Sequence, residues 1–174
     1  MVDLSSLIRD VPDFPKKGIV FKDITPLLGN AEALVQTADA LAEPFGDKGV
    51  EMIAGVESRG FIFATMIAER LGAGFIPIRK PGKLPAEKIG RTYGLEYGTA
   101  TIEIHTDAVE QGQKVLMVDD LLATGGTMSA ACELVSHLGG DIVGCAFLVE
   151  LCFLPGREKI GDYDIRALLK VGGE

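Results

Sequence analysis

Apolar segments of strand length alternate with segments of helical periodicity over most of the chain. Apolar residues at three- and four-residue steps predict helices over residues 31–45 and 131–138. Residues 61–71 are apolar almost all round, which predicts a buried helix. Short apolar runs predict buried strands over residues 52–56, 75–78, 115–118, 143–151 and 164–169. Strands that alternate with helices in this way predict an α/β fold, with a mainly parallel sheet covered by helices on both faces.

Two segments lie outside this alternation, residues 1–30 and residues 80–98. The second contains four Gly and two Pro with little apolar periodicity, which is typical of a lid, a binding loop or a disordered segment. Residues 99–105 alternate between polar and apolar positions, which predicts a half-exposed antiparallel strand. We expect a single domain over residues 1–174, since this length corresponds to about one domain.

The chain carries 17 Lys and Arg against 25 Asp and Glu, which gives a net charge of −8. This balance argues against non-specific nucleic-acid binding, but it leaves room for a small anionic ligand in a local basic pocket. No apolar stretch reaches the roughly 18 residues of a membrane helix, and the first residues lack the features of a signal peptide. We therefore expect a cytoplasmic protein that has no membrane partner.

Neither the histidines nor the cysteines predict a metal site. His105 and His137 are the only histidines, which excludes a histidine-rich site. The cysteines, Cys132, Cys145 and Cys152, are odd in number and lack CxxC spacing. We expect them to be buried free thiols in a reducing compartment.

The strongest chemical signal lies where the predicted strand 115–118 ends. Asp119 and Asp120 follow this strand directly, and the segment LLATGGT at residues 121–127 leads into the next predicted helix. Its glycines let backbone N–H groups approach a ligand, its threonines add hydroxyl donors, and the helix points its positive end at the same place. These features predict a phosphate site. Carboxylates beside a phosphate need another partner, such as the vicinal hydroxyls of a sugar or a divalent cation.

Other nucleotide-binding and nucleophile motifs are absent from the sequence. It contains neither the GxGxxG of dinucleotide sites nor the GxxxxGK[ST] of nucleoside triphosphate sites. Ser58 in GVESRG lies one residue too far from Gly55 for a GxSxG nucleophile elbow. An acidic pair at a strand end also occurs in phosphoacceptor receiver domains, but too few residues follow Asp120 for the rest of that fold.

The segment VLMVDDLLATGGT at residues 115–127 resembles the phosphoribosyl diphosphate (PRPP) binding motif of the type I phosphoribosyltransferase family. Further segments resemble the adenine-specific branch of that family: PDFPKKGIVFKDITPLL at 12–28, AGVESRGFIF at 54–63, and IRKPGKLP and LEYGTATIEIH at 78–85 and 95–105. The resemblance covers most of the chain. It implies a mainly parallel twisted sheet flanked by helices, with an N-terminal hood over residues 1–30 and a flexible catalytic loop over residues 80–98.

The resemblance also implies how PRPP is bound. Asp119 and Asp120 would hold the 2′- and 3′-hydroxyls of the ribose. The 5′-phosphate would bind to the phosphate loop, which comprises Ala123, Thr124, Gly125, Gly126 and Thr127. The diphosphate would lie near Arg59, Lys80 and Lys83, with Mg²⁺ held mainly by PRPP oxygens and no firm protein ligand. The peptide between Glu57 and Ser58 would be cis, which turns its N–H towards the diphosphate.

The hood and the catalytic loop would hold and activate the base. The resemblance implies that Phe21 stacks on the purine, while the backbones of Val20 and Lys22 read its Watson–Crick edge. Glu96 would move a proton at N7 of the base, so that N9 stays nucleophilic. Tyr97 would pack over the closed site, and Tyr93 is a weaker candidate for the same position.

The implied activity is Mg²⁺-dependent transfer of the phosphoribosyl group from PRPP to N9 of adenine, which yields AMP and diphosphate in purine salvage. The implied assembly is a homodimer, and the apolar helix 61–71 is compatible with an interface. Three alternatives stay open: transfer to a 6-oxopurine, a non-catalytic domain that senses PRPP or a purine, and a nucleotide-binding protein without turnover. Turnover across a panel of bases separates them.

Overall fold

The computed structural model describes residues 1–94 and 98–173 of the chain. The strands in this part are β1 (Arg9–Pro12), β2 (Val20–Asp23), β3 (Met52–Val56), β4 (Gly74–Ile78), β5 (Lys88–Gly94), β6 (Thr99–His105), β7 (Lys114–Leu122), β8 (Asp141–Leu151) and β9 (Ile165–Val171). The α-helices are α1 (Thr25–Leu28), α2 (Ala31–Ala42), α3 (Gly60–Leu71), α4 (Gly126–His137) and α5 (Gly156–Ile160). Short 3₁₀ turns span Ser5–Leu7 and Glu43–Phe45.

Five of these strands form a central sheet in the order β4-β3-β7-β8-β9, and every neighbouring pair is parallel. The parallel sheet confirms the predicted α/β fold. The described residues form two further pairs, β1 with β2 and β5 with β6, and both of these pairs are antiparallel. The half-exposed antiparallel strand predicted for residues 99–105 is therefore confirmed as β6.

Helices cover both faces of the central sheet, as the sequence predicts. Successive residues of β7 point to opposite faces, so Met117 packs with residues of α4 while Leu116 and Val118 pack with residues of α2 and α3. Each face therefore has its own apolar cluster, and apolar residues run unbroken along the central strands because both faces are buried. The carboxyl ends of β3 and β7, which are neighbours in the sheet, lie side by side at one edge of this core.

Three expectations about element boundaries and burial need correction. Strand β7 continues to Leu122, so Asp119 and Asp120 lie inside the strand and not beyond its end, because they keep parallel pairing with β8. Helix α3 is not buried all round, since Phe61, Ile62 and Met66 are partly exposed along one side. Cys152 is exposed, whereas Cys132 and Cys145 are buried as expected.

The segment 80–98 is not a loop throughout, contrary to the prediction. Residues 88–94 form β5, which pairs with β6 in a register that places Tyr93 opposite Ala100. Backbone hydrogen bonds to β6 supply much of the order here, and apart from the partly buried Ile89 and Tyr93 the strand is exposed, so the sequence shows little apolar alternation over these residues. Below, the β5–β6 pair is called the arm.

Candidate active site

A cavity of about 390 Å³ opens at the carboxyl ends of β3 and β7, where ligands bind in open parallel sheets. The central strands, the arm and the start of α4 all contribute to its wall. The lining residues are Val56, Glu57, Ser58, Arg59, Lys80, Pro81, Tyr93, Ala100, Thr101, Ile102, Asp119, Asp120 and Thr127. The structure thus brings the two predicted ribose carboxylates together with much of the predicted diphosphate site.

The carboxyl groups of Asp119 and Asp120 lie in the floor of this cavity. The backbone N–H of Asp120 donates a hydrogen bond to Oδ1 of Asp119 at 2.9 Å. Burial raises the pKa of Asp119 well above its usual range, and the neighbouring Asp120 charge raises it further. Burial also raises the pKa of Asp120, although the positive charge of Arg59 opposes the shift. Within residues 1–94 and 98–173, the buried Oδ2 of Asp120 accepts no hydrogen bond of regular geometry, and Arg59 lies against it as an ion-pair partner.

Arg59 links the carboxylate pair to the N-terminal hairpin. Its Nε lies 2.8 Å from Oδ2 of Asp120, a distance that makes an ion pair. Its guanidinium carbon also lies 5.0 Å from the ring centre of Phe21, over the ring face, as in a cation–π contact. Arg59, which is predicted to bind the diphosphate, therefore contacts both the predicted ribose residue Asp120 and the predicted base platform Phe21.

The turn after β3 carries Glu57 and Ser58, and the peptide between them is cis, as the resemblance implies. Oε2 of Glu57 accepts hydrogen bonds from the backbone N–H of Lys80 at 3.0 Å and from Nε of Arg79 at 3.1 Å. Although burial acts in the opposite direction, these two donors hold the pKa of Glu57 below its usual value. The Glu57 side chain thus ties the ends of β3 and β4 together, while Ser58 lines the cavity.

The two predicted diphosphate lysines differ in position. Lys80 lies directly after β4 and lines the cavity. Lys83 is exposed, is not among the lining residues, and accepts a hydrogen bond on its backbone oxygen from Nη1 of Arg79 at 3.2 Å. The structure therefore places Lys80 at the site and leaves Lys83 on the surface beside it.

The phosphate loop joins β7 to α4 and surrounds a second, smaller concavity of about 70 Å³. Gly125 has a φ of 78°, and a Cβ at this position would lie 2.4 Å from the backbone oxygen of Gly156. No side chain caps the start of α4, so its first N–H groups are open to a ligand. Such an N-terminus favours an anion because unpaired N–H groups and the helix dipole act together.

The arm reaches the phosphate loop through Tyr93. Its phenolic oxygen lies 2.9 Å from Oγ1 of Thr127, and its ring packs beside Gly126. The sequence offers Tyr93 only as a weaker candidate, and Gly156 is a site-forming residue that sequence reasoning missed. No local signal marks Gly156, because its contact with Gly125 joins residues 31 positions apart in the chain.

The base platform in the hood is partly formed by β2. Phe21 is half-buried and makes an edge-to-face contact with Phe14, with 5.2 Å between ring centres. Val20 and Lys22 point to the opposite face of the strand, where Nζ of Lys22 lies 2.7 Å from Oδ1 of Asp10. The Lys22 side chain is therefore engaged away from the ring of Phe21.

Two predicted catalytic residues, Glu96 and Tyr97, lie outside the described residues. Over residues 1–94 and 98–173, no group of three or more His, Cys, Asp or Glu side chains is arranged to hold a metal ion. Over the same residues, every helix is too short or too polar to cross a membrane.

Comparisons with known proteins show the family of the chain. Residues 27–168 match the family model of the phosphoribosyl transferase domain. The adenine phosphoribosyltransferase of Thermobifida fusca is 57% identical over 173 residues, which cover 97% of this chain and 98% of the relative.

Solved structures give the same result. A crystal structure of adenine phosphoribosyltransferase from Thermoanaerobacter pseudethanolicus is 53% identical and superposes with a TM-score of 0.95, covering 97% of this chain and 98% of that one. The Saccharomyces cerevisiae enzyme, solved with an imino-altritol bisphosphate and adenine, is 40% identical with a TM-score of 0.89, covering 96% of this chain and 97% of that one. The chain therefore belongs to the phosphoribosyltransferase family, and the relatives that it matches over almost its whole length are adenine phosphoribosyltransferases.

Proposed function

We propose that this protein transfers the phosphoribosyl group of PRPP to N9 of adenine and releases AMP and diphosphate. One observation carries the proposal: the pair Asp119 and Asp120 lies two residues before the phosphate loop and shares a cavity with Arg59, which contacts Phe21. The names of the relatives support adenine as the base. Nothing in the site favours a 6-oxopurine or a purely sensory role.

The PRPP would bind across the edge of the sheet. Its 5′-phosphate would occupy the concavity of the phosphate loop (Ala123, Thr124, Gly125, Gly126 and Thr127), where it would meet the first N–H groups of α4. The ribose hydroxyls would donate to Asp119 and Asp120, whose carboxyl groups line the cavity. The diphosphate would lie against Arg59, Lys80 and the peptide N–H of Ser58. Lys83 is exposed beside this region, so its side chain would approach the diphosphate from the solvent side.

The base would lie between the hood and the ribose. Phe21 supplies an aromatic face, and the backbone groups of Val20 and Lys22 would form hydrogen bonds with the Watson–Crick edge of adenine. The side-chain pair of Lys22 with Asp10 supports a purely backbone role for position 22. Arg59 lies against both Phe21 and Asp120, so the two substrates would meet beside it.

In the reaction, the bond between N9 and C1′ forms while the bond between C1′ and the diphosphate oxygen breaks, with inversion at C1′. Positive charge develops on the ribose ring in the transition state, so the site must orient both substrates, stabilise the leaving anion and exclude water. Arg59 and Lys80 would stabilise the diphosphate. When N9 attacks C1′, adenine gives up the proton on N7, and Glu96 would accept that proton, with Tyr97 packed over the closed site.

We also propose that the enzyme uses Mg²⁺. The site fits such an ion: the carboxyl groups of Asp119 and Asp120 line the cavity beside the proposed ribose position, and PRPP oxygens would supply most of the coordination. When bound, Mg²⁺ supplies neutralisation of the diphosphate charge. Asp119 and Asp120 would orient the ribose hydroxyls whose oxygens share the ion.

The family resemblance further supports a homodimer in the cytoplasm that binds neither nucleic acid nor membrane. The partly exposed side of α3, which carries Phe61, Ile62 and Met66, is a surface that a second copy would cover. Three unpaired cysteines fit a reducing compartment, and a net charge of −8 disfavours a nucleic-acid partner.

The test is release of diphosphate from PRPP and Mg²⁺ with adenine, hypoxanthine, guanine, xanthine or no base. We expect turnover with adenine alone. Turnover with a 6-oxopurine instead would retain the PRPP site but reject the hood as an adenine reader. Binding of PRPP without turnover of any base would leave a sensory domain.

A further inference from the structure

The arm carries a side chain that reaches into the phosphate loop. Tyr93 lies near the end of β5, and its phenolic oxygen is 2.9 Å from Oγ1 of Thr127 in the first turn of α4. Both residues line the cavity that holds Asp119 and Asp120. This hydrogen bond joins residues 34 positions apart, and it connects a strand outside the central sheet directly to the proposed 5′-phosphate site.

Gly126 makes room for the tyrosine ring. A Cβ at Gly126 would lie 3.3 Å from Cδ2 of Tyr93 and 3.4 Å from the backbone oxygen of Gly94. Any side chain at position 126 would therefore have to displace the arm. The glycine thus serves the packing of Tyr93 on the loop as well as the approach of a phosphate to the backbone.

A second contact fixes the same strand along α4. Nε of Arg91 lies 2.5 Å from Oε2 of Glu133, and both side chains are about half exposed. Arg91 and Tyr93 are two positions apart in β5, so they project from the same face of the strand. An exposed ion pair contributes little free energy, so the contact of Arg91 with α4 should matter little for binding. The Tyr93 hydroxyl is partly buried and contacts the site itself.

The chemistry of the ligand determines the direction of the Tyr93–Thr127 hydrogen bond when phosphate is bound. Phosphate oxygens only accept hydrogen bonds, so the Thr127 hydroxyl must donate its one proton to the phosphate. Its oxygen is then free to accept, and the Tyr93 hydroxyl is the donor that lies within reach. The result is a chain in which Tyr93 donates to Thr127 and Thr127 donates to the phosphate, and each bond in such a chain strengthens the next.

We infer that Tyr93 is a positioning residue for the 5′-phosphate of PRPP: its hydroxyl orients the Thr127 hydroxyl as a donor to that phosphate. The inference rests on the proposed function, in that it takes PRPP as the ligand of the loop. Tyr93 acts through Thr127 and does not touch the reacting atoms. Its role is therefore in PRPP affinity and not in the chemical step.

The experiment compares the wild type with Tyr93→Phe, which keeps the ring beside Gly126 and removes only the hydroxyl. PRPP affinity is measured by calorimetry with Mg²⁺ and without base, and KM and kcat are measured separately with adenine. We expect the Kd and the KM for PRPP to rise about tenfold, with kcat, the KM for adenine and Tm unchanged. Tyr163→Phe, which removes the hydroxyl of a partly buried tyrosine outside this cavity, is the matched control.

Two further variants separate the proposed role from simple fastening of the arm. Thr127→Val should weaken PRPP binding, and adding Tyr93→Phe to it should cause almost no further loss, because the hydroxyl would have nothing left to orient. Arg91→Ala should leave PRPP affinity close to that of the wild type. An unchanged PRPP affinity in Tyr93→Phe, additive effects of the two hydroxyl deletions, or an equal loss in Arg91→Ala would each overturn the inference.

These readouts also distinguish this inference from the proposed function. The binding measurement needs no turnover, so a wild type that binds PRPP but forms no AMP contradicts the proposed activity while still testing Tyr93. A wild type that forms AMP, together with a Tyr93→Phe variant of normal PRPP affinity, retains the activity and rejects the role of Tyr93.

Discussion

Nε of Arg59 lies 2.8 Å from Oδ2 of Asp120, and the same guanidinium stacks on Phe21. One side chain therefore contacts both the carboxylate proposed for the ribose and the ring proposed for the base. The oxygen that Arg59 approaches accepts no hydrogen bond within the described part of the chain. A ribose hydroxyl would approach the same carboxyl group, in which burial raises the pKa of Asp120 and the positive charge of Arg59 opposes that rise.

Asp120→Asn tests the ribose assignment. The variant keeps the shape of the side chain but replaces an ionised acceptor with a neutral amide, so hydrogen bonds from ribose hydroxyls weaken. We expect the KM for PRPP to rise at least about tenfold, measured by steady-state kinetics with adenine saturating. Asp107→Asn, at an exposed position in the turn after β6, is the control. Unaltered kinetic constants in Asp120→Asn would remove Asp120 from the ribose site.

Asp119→Asn should stabilise the fold while it damages the site. Burial and the neighbouring carboxylate raise the folded-state pKa of Asp119, so the native state favours its neutral form. Its contribution to stability is therefore complete below the unfolded pKa of 3.8 and is lost as the pH rises through the folded pKa. The neutral Asn avoids this loss, and its Oδ1 can still accept from the N–H of residue 120.

Thermal unfolding at several pH values checks this expectation. At pH 8 the Tm of Asp119→Asn should exceed that of the wild type by at least about 2 °C. The difference should shrink as the pH falls and disappear below about pH 4, where the wild-type carboxyl is protonated in both states. A variant that is less stable than the wild type at pH 8 would contradict the buried-charge account.

Gly125→Ala tests the packing beneath the phosphate loop. Gly125 has a φ of 78°, and a Cβ there would meet the backbone oxygen of Gly156 at 2.4 Å. Gly112 is a matched control, because its φ is 77° and a Cβ there would meet no atom within 4 Å. We expect Gly112→Ala to cost about 1 kcal/mol, the price of the left-handed conformation alone.

Gly125→Ala should cost clearly more than this control, since backbone must also move, and it should weaken PRPP binding because the loop is displaced. Chemical denaturation gives the free energies of unfolding, and calorimetry gives the PRPP affinity. Equal losses of stability in the two variants would show that the contact with Gly156 is not restrictive.

Phe21→Leu tests the hood. Loss of the aromatic face should raise the KM for adenine about tenfold and change the KM for PRPP little, because the ring contacts the base and not the sugar phosphate. Phe153→Leu is a suitable control, since Phe153 is 56% exposed and does not line the cavity. If the two KM values rise together, Phe21 supports the fold of the hood and not the base.

Glu96→Gln tests the proton transfer. We expect kcat to fall about 100-fold, the order of a general acid–base contribution, with little change in the affinity for adenine. Rapid mixing of the enzyme–PRPP complex with adenine isolates the chemical step from product release. A single-turnover rate equal to that of the wild type would take Glu96 out of the mechanism.

The central sheet could be predicted from the sequence because its strands are buried on both faces and read as continuous apolar runs. The carboxylate pair and the phosphate loop could also be predicted from the sequence, since Asp119 to Thr127 are contiguous in the chain. Strand β5 could not be predicted, because hydrogen bonds to β6 order it while most of its residues remain exposed. The local pattern of apolar and polar residues does not reveal backbone hydrogen bonds between two strands.

Contacts between distant residues account for the other differences. The fit of Gly125 against Gly156 and the bond from Tyr93 to Thr127 each join segments that lie about 30 positions apart. The separate positions of Lys80 and Lys83 also depend on tertiary structure, because Glu57 holds the backbone of Lys80 at the cavity. From the sequence alone, both lysines are predicted to lie near the diphosphate.

The most direct measurement is the rate of AMP formation from adenine, PRPP and Mg²⁺, followed by chromatography with mass detection. It should be made on the wild type and on the double variant Asp119→Asn/Asp120→Asn, with circular dichroism to confirm that both are folded. We predict AMP formation by the wild type and a loss of at least about 100-fold in the folded double variant. No AMP from the wild type, or equal rates from the two proteins, would contradict the account of this site.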